Sequence, residues 1–285
     1  MEQSHSGLGL CFFGNQLFYA VNDKQDSKKL ARIGCFDFNF EVTQAIINGD
    51  EDHFPGIQQT IAQLKEQYSV GQIRILSLPY KECWTTVPKL VYDNPDEREA
   101  HINILMNGVE RKKIHPTWYK LSNQDYKFLM LRNEEELRGL KKLIPSVSST
   151  DLISEFELGD RWEQHTEAGG SFMTICCFNG CISVCSYILG KMRGATYIKY
   201  DDIEDLPYLW LQQTRQLNWM KGLHEEFHVY GEDAYKVIEI LEPFWDDAGT
   251  VIKMDTLRKI QVEAEEQTYS FNLEKAYPAI LLALG

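Results

Sequence analysis

Apolar and polar positions along the chain follow two rhythms that occur twice in the same order. The run GLGLCFF, the pair Gly14-Asn15 and the run QLFYAVND suit two buried strands joined by a two-residue turn. A third apolar run, LARIGCFDF, follows the polar loop DKQDSKK. FPGIQQTIAQLKEQY then carries Ile57, Ile61, Leu64 and Tyr68 at helical spacing, with Pro55 in the first turn. QIRILSL is a further buried strand that ends at Pro79.

The second copy starts with SFMTICCF, the pair Asn179-Gly180 and CISVCSYI, then ATYIKY. An acidic DDIED leads into LPYLWLQQTRQLNWM, whose Leu206, Leu209, Trp210, Thr214 and Leu217 form one helical stripe. EFHVYG closes the unit. Each half therefore predicts hairpin, strand, helix, strand, and the two helices share the tripeptides Gln58-Gln59-Thr60 and Gln212-Gln213-Thr214.

The repeat decides the meaning of HEEFH, residues 224 to 228, which matches the H-E-x-x-H pattern of zinc peptidases. Superposing the two tripeptides lays Phe227 to Tyr230 on Ile73 to Leu76, which are strand positions, and His224 on Val70, in the loop before that strand. Two histidines four apart pinch one metal on a helix, at about 6 Å, but lie about 13 Å apart in extended chain. Glu226 where an apolar residue is usual, and Gly222 before the motif, also oppose a helix. His224 and His228 are thus rejected as zinc ligands, and Glu225 has no metal-bound water to activate. A zinc metallopeptidase using His224, Glu225, Glu226, Phe227 and His228, with Glu239 or Glu242 as third ligand, is kept as a second alternative.

Between Ala168 and Gly190 there is no charged residue, a length close to a membrane span. Asn179-Gly180 at its centre makes two strands the better reading. The same stretch holds Cys176, Cys177, Cys181 and Cys185. A two-residue turn sets Phe178 opposite Cys181, Ser183 opposite Cys176 and Cys185 opposite Thr174. Cys176, Cys181 and Cys185 then share one face and Cys177 takes the other, so four thiolates cannot converge on a metal.

Seven cysteines at irregular spacing read as reduced thiols, and MEQSHSGLGLCFF lacks the pattern of a secretory signal, so the expected location is the cytoplasm. A net charge of −13 argues against nucleic acid and anionic lipid as partners. Arg111-Lys112-Lys113 is a solvated turn, and the acidic stretches at 93–99, 134–136 and 201–205 suit helix N-terminal regions. No P-loop, G-x-S-x-G elbow or G-x-G-x-x-G is present, since Gly7-Leu8-Gly9 lacks the continuation.

Two tandem βββαβ units resemble the actin, Hsp70 and sugar-kinase (ASKHA) superfamily, including the actin-like component of type IV pilus assembly. WTTVPKLVYDN, YDDIEDLPYLWLQQTRQLNW leading into HVYGED, and SFNLEKAYPAILLALG carry a narrower resemblance, to the uncharacterised bacterial domain-of-unknown-function family 3822. The resemblance implies an α/β fold of two duplicated actin-like ATPase (ribonuclease H-like) subdomains with mixed five-stranded sheets flanked by helices. They would cover 1–168, with a helical insertion, and 169–285, meeting near Ala168-Gly169-Gly170 across a cleft.

Active members of that superfamily carry Asp-x-Gly near the end of the first strand of each half. Here the corresponding stretches are Cys11-Phe12-Phe13 before Gly14-Asn15 and Cys176-Cys177-Phe178 before Asn179-Gly180, with no carboxylate in either. The adenosine-side pattern is reduced to Tyr230-Gly231-Glu232. The expectation is a non-catalytic protein of degenerate actin-like fold that needs no cofactor and binds another protein. The alternative is an active ATPase or phosphotransferase using ATP and Mg. The partner is expected on the cleft between the halves or on the loop YKECWTTVPKL, and the acidic balance favours a basic or neutral one. Trp84 in that loop is the candidate anchor, with burial beneath its own loop as the competing reading.

Overall fold

Gly14 and Gly180 set the geometry of the two hairpins that organise the molecule. The computed structural model describes residues 5–26, 28–77, 81–106, 113–121, 123–146, 151–159, 161–162, 170–221, 224–245, 250–253 and 272–284. Strands β1 (Ser6–Phe13) and β2 (Gln16–Asn22) flank Gly14, which has φ +56°. β2 continues antiparallel into β3 (Leu30–Asp37). The chain then forms α1 (Val42–Asn48) and α2 (Phe54–Tyr68) before returning as β4 (Val70–Leu76), parallel to β1.

An insertion follows β4. Three strands, β5 (Lys81–Pro88), β6 (Ile114–Lys120) and β7 (Tyr126–Asn133), make a separate sheet in the order β5-β7-β6. It carries α3 (Lys89–Asp93) and α4 (Pro95–Leu105), and α5 (Glu134–Leu143) then leads back to pack against α1 and α2 of the first half. The insertion is therefore a sheet with helices and not helices alone. Its strands are rich in aromatic and β-branched residues, and their alternation serves two cores: Val87, Leu129 and Leu131 face one, Phe128 and Met130 the other. The short β8 (Leu152–Ile153) then joins β4 and completes the order β3-β2-β1-β4-β8.

The second half repeats the first. β9 (Ser171–Phe178) and β10 (Cys181–Ile188) flank Asn179-Gly180, and Gly180 has φ +71°. β11 (Lys191–Lys199), α6 (Leu206–Gln216), β12 (Glu226–Gly231), α7 (Ala234–Leu241) and β13 (Thr250–Lys253) follow, giving the order β11-β10-β9-β12-β13. Phe227 pairs with Met173 in the second sheet as Ile73 pairs with Leu8 in the first, which is the register expected from the shared tripeptide. Of the expected boundary, Ala168 and Gly169 lie outside the described residues, as do Gly222, Arg111 and Lys112. Among the described residues, no helix is long and apolar enough to cross a membrane.

Strand alternation sorts side chains into layers. Leu8, Leu10 and Phe12 face the helices of the first half, meeting Ile46, Ile57, Ile61 and Leu140. Met173, Ile175 and Cys177 meet Leu206, Trp210, Val237 and Trp245 in the second. The inner faces of both sheets share one core, in which Cys11, Phe13 and Phe18 join Phe172, Cys176, Phe178 and Tyr230.

The last helix, α8 (Leu273–Leu284), is buried along nearly its whole length in that shared core and lies against β1, β2 and β12. Gly9 makes this possible. A Cβ there would sit 2.0 Å from the Ala279 carbonyl oxygen and 2.7 Å from the Ala283 nitrogen. Gly7 and Gly9 are thus the contact surface for a helix, a role their sequence did not reveal. The Arg74 guanidinium donates to the Leu282 carbonyl at 3.0 Å and satisfies one of the helix's terminal acceptors. Replacing Gly9 with Ala is expected to cost about 3 kcal/mol or more, because backbone must move and not only a flexible side chain. Urea titration reads this, and an unchanged midpoint would show that α8 does not lie this close to β1.

Candidate functional site

In a duplicated fold of this kind the two hairpin turns approach each other at the centre, and the residues just before the turns decide what fits between them. Phe13 and Phe178 hold those positions. Their ring centroids are 5.6 Å apart, and Phe18 packs edge-on against Phe13 at 6.2 Å. Both phenylalanines are buried. Two residues earlier on each strand stand Cys11 and Cys176. Burial pushes both thiols up, so they stay protonated, and the Cys11 thiol donates to the Lys275 carbonyl at 3.4 Å. The gap between the turns is therefore closed by rings and neutral thiols.

Carboxylates flank the turns. A Cβ built on Gly14 would lie 3.6 Å from the Glu41 carboxylate and 3.7 Å from that of Glu232. Glu232 sits 3.8 Å from the Lys275 ammonium, which also reaches Gln16 at 3.4 Å. Burial holds the Glu232 carboxyl above its usual range; Lys275 acts against this shift, and Asp233 and Glu41 add to it. Asn15 spends its amide on the Phe38 carbonyl at 3.1 Å, and Asn179 is exposed beside Gly180. Gly231 has φ +104°, and a Cβ there would meet the Cys177 carbonyl oxygen at 2.3 Å. The approach of β12 to β9 thus accounts for Gly231 without a ligand.

Mg-ATP, the cofactor of the alternative reading, would need donors for its phosphates and oxygen ligands for its metal. Phe13 and Phe178 offer neither, while Glu41 and Glu232 bring carboxylate oxygens to the edge of the turns and Lys275 one ammonium. The rings at the turns do not fit the phosphates of the group.

HEEFH straddles a loop and a strand: His224 precedes β12 and His228 lies within it. The Ser186 hydroxyl and His224 Nε2 are 2.7 Å apart. His228 Nε2 lies 2.7 Å from the Glu226 carboxylate, and its ring stacks on Phe172 at 5.3 Å. Both imidazoles are buried structural groups. Among the described residues, no cluster of three or more His, Cys, Asp or Glu could hold a metal ion. Cys176, Cys181 and Cys185 face the shared core and Cys177 the outer one, with the hairpin pairing inferred from the turn.

Trp84 departs from expectation. It lies on strand β5 and not in a loop, because KECWTTVP pairs in register with β7. Its indole N–H donates to the Thr196 hydroxyl at 3.3 Å, and its ring meets Tyr197 edge-on at 4.8 Å. Trp84 therefore joins the inserted sheet to β11.

A buried polar network beside Trp84 was not foreseen. The Glu155 carboxylate accepts from the Tyr197 hydroxyl, from Ser154 Oγ at 3.2 Å and from Ser77 Oγ at 3.4 Å. Arg132 donates to the Leu152 carbonyl at 2.9 Å and to the Tyr119 hydroxyl at 3.1 Å; Tyr119 in turn donates to Glu157 at 3.2 Å. One signal was present in the sequence: Ser154-x-x-Glu157 is a capping box, and both of its bonds form. The rest joins residues far apart in the chain.

Among solved structures, the chain is similar to a Bacteroides thetaiotaomicron protein of actin-like ATPase fold and unknown function. The identity is 12%, the match covers 88% of this chain and 92% of that one, and the TM-score is 0.52. It is also similar to a chain of the PilM-PilN type IV pilus biogenesis complex, at 10% identity over 98% of this chain and 97% of that one, with a TM-score of 0.61. No family model matches the chain, and no curated protein matches it by sequence. Two mixed five-stranded sheets flanked by helices, together with these likenesses, give the chain an actin-like ATPase fold.

Proposed function

We propose that this chain is a non-catalytic protein of actin-like fold that works by binding another protein. The observation that carries the reading is the contact between Phe13 and Phe178, 5.6 Å apart at the two turns. Phosphoryl transfer depends on positioned charge around the transferring group. Aromatic rings at both turns and neutral thiols behind them supply the opposite environment. A kinship to the domain-of-unknown-function family 3822 belongs to the same proposal and rests on WTTVPKLVYDN and SFNLEKAYPAILLALG. One similar structure comes from a complex of two proteins, PilM and PilN, which is a precedent for this fold in protein assembly. Seven free cysteines fit a reducing compartment, and the proposed location is the cytoplasm.

Calorimetric titration with Mg-ATP is expected to give no saturable heat. Binding tighter than about 100 μM, roughly −5.5 kcal/mol, would overturn the reading in favour of an active nucleotide enzyme. The acidic rim has its own signature. Because the Glu232 carboxyl is held above its usual range, the folded chain keeps that proton more tightly than the unfolded chain does. Stability is then lost as pH rises from the ordinary glutamate range through the raised value. Glu232→Gln removes this loss, so the variant is expected to melt higher than the parent near pH 7 and equally near pH 4. A variant that melts lower near pH 7 would mean that the Lys275 pairing outweighs burial.

A further inference from the structure

A second concave site lies away from the hairpin turns. It is a cavity of ≈ 440 Å³ between the β6–β7 hairpin of the inserted sheet, the start of α3 and the turn joining β10 to β11. Four lysines line it, Lys89, Lys120, Lys127 and Lys191, with Leu121 and Met192 among the apolar residues and no carboxylate in the lining. This is an unusual concentration of positive charge on a chain of net charge −13. Lys89 is paired with Asp93, and Lys127 lies over the Tyr92 ring. Among the described residues, Lys120 and Lys191 have no ion-pair partner.

Apolar residues in the lining, or next to it in sequence, are exposed to water. Leu90, next to Lys89, is 83% exposed, Leu189, next to Gly190, is 72% exposed, and Tyr126 is 42% exposed. Leu189 is the more telling. It and Gly190 form the two-residue turn with φ of +47° and +70°, a pair of positive values that normally selects Asn-Gly or Gly-Gly. A leucine in that conformation is strained, and its side chain gains no burial in return. Neither folding nor solubility accounts for it.

We infer that this cavity and its rim dock an acidic, amphipathic peptide segment of a partner protein. Its carboxylates would meet Lys120 and Lys191, and its apolar side chains would cover Leu90 and Leu189 and reach Leu121 and Met192. Charge complementarity and the apolar rim select this occupant together. A small polyanion would use the lysines and leave both leucines in water. An anionic bilayer presents a flat surface to a concave site.

The inference rests on the reading that this chain acts by binding protein. The cavity is separate from the hairpin turns, so Mg-ATP binding would sink that reading without altering the outcome here. The probe is a phage-displayed library of random twelve-residue peptides selected on the intact protein, with winners labelled and measured by fluorescence polarisation. Expected winners combine Asp or Glu with Leu or an aromatic residue. Their affinity should fall at least about tenfold in the double variant Lys120→Glu, Lys191→Glu and about tenfold in Leu189→Asn. Leu189→Asn should melt no lower than the parent, since asparagine accepts the left-handed turn, which separates a docking role from a folding role. Three results would overturn the inference: no enrichment, winners without acidic residues, or winners whose affinity survives both variants. Flotation with phosphatidylserine vesicles that depends on the same residues would also overturn it, in favour of a membrane surface.

Discussion

The last helix runs so close to β1 that Gly9 has no room for a Cβ. Much else follows from that approach. A helix buried on nearly all sides can exist only between two apolar surfaces, and the inner faces of the two five-stranded sheets provide them. The space between the halves is consequently a hydrophobic core and not a solvent-filled cleft. Lys275 marks where this core ends: its carbonyl takes the Cys11 thiol inside, while its ammonium reaches Glu232 and Gln16 at the rim.

Closing the centre in this way separates architecture from chemistry. The duplicated sheets, their register and their crossing helices are those of an actin-like fold, whereas the residues before the turns are a pair of touching phenylalanines. Dispersion and burial join the halves at the two turns. The same choice explains why the buried polar groups lie elsewhere, around Glu155 and Arg132. There the inserted sheet, the segment after β8 and the second sheet meet, and each charge is hydrogen-bonded to more than one partner. Trp84 belongs to this joint through Thr196 and Tyr197.

The joint also sets the position of the inserted sheet against the β10–β11 turn, and with it the lysine-lined cavity. The cavity has walls from α3 and the β6–β7 hairpin of the insertion and from a turn of the second half, so it exists only while these two parts keep their arrangement.

Local rules made the sheets and helices legible because each acts within a few residues. Strand alternation, the Gly14 and Asn179-Gly180 turns, Pro55 at a helix start, and the repeated Gln-Gln-Thr fixed the hairpins, both long helices and the pairing of β4 and β12. That register argued against a helical HEEFH, and the Asn179-Gly180 turn divided Cys177 from its three neighbours. Three features were beyond such rules. Lys81 to Pro88 reads as a loop in isolation and becomes a strand only because β7 supplies its hydrogen bonds. Gly7 and Gly9 resemble a broken nucleotide motif until α8, far along the chain, is laid across them. Lys89, Lys120, Lys127 and Lys191 are unremarkable singly, and only the tertiary structure gathers them around one cavity. Secondary structure follows from neighbours in sequence, whereas a site follows from neighbours in space, and the long loops between these elements left that choice to packing.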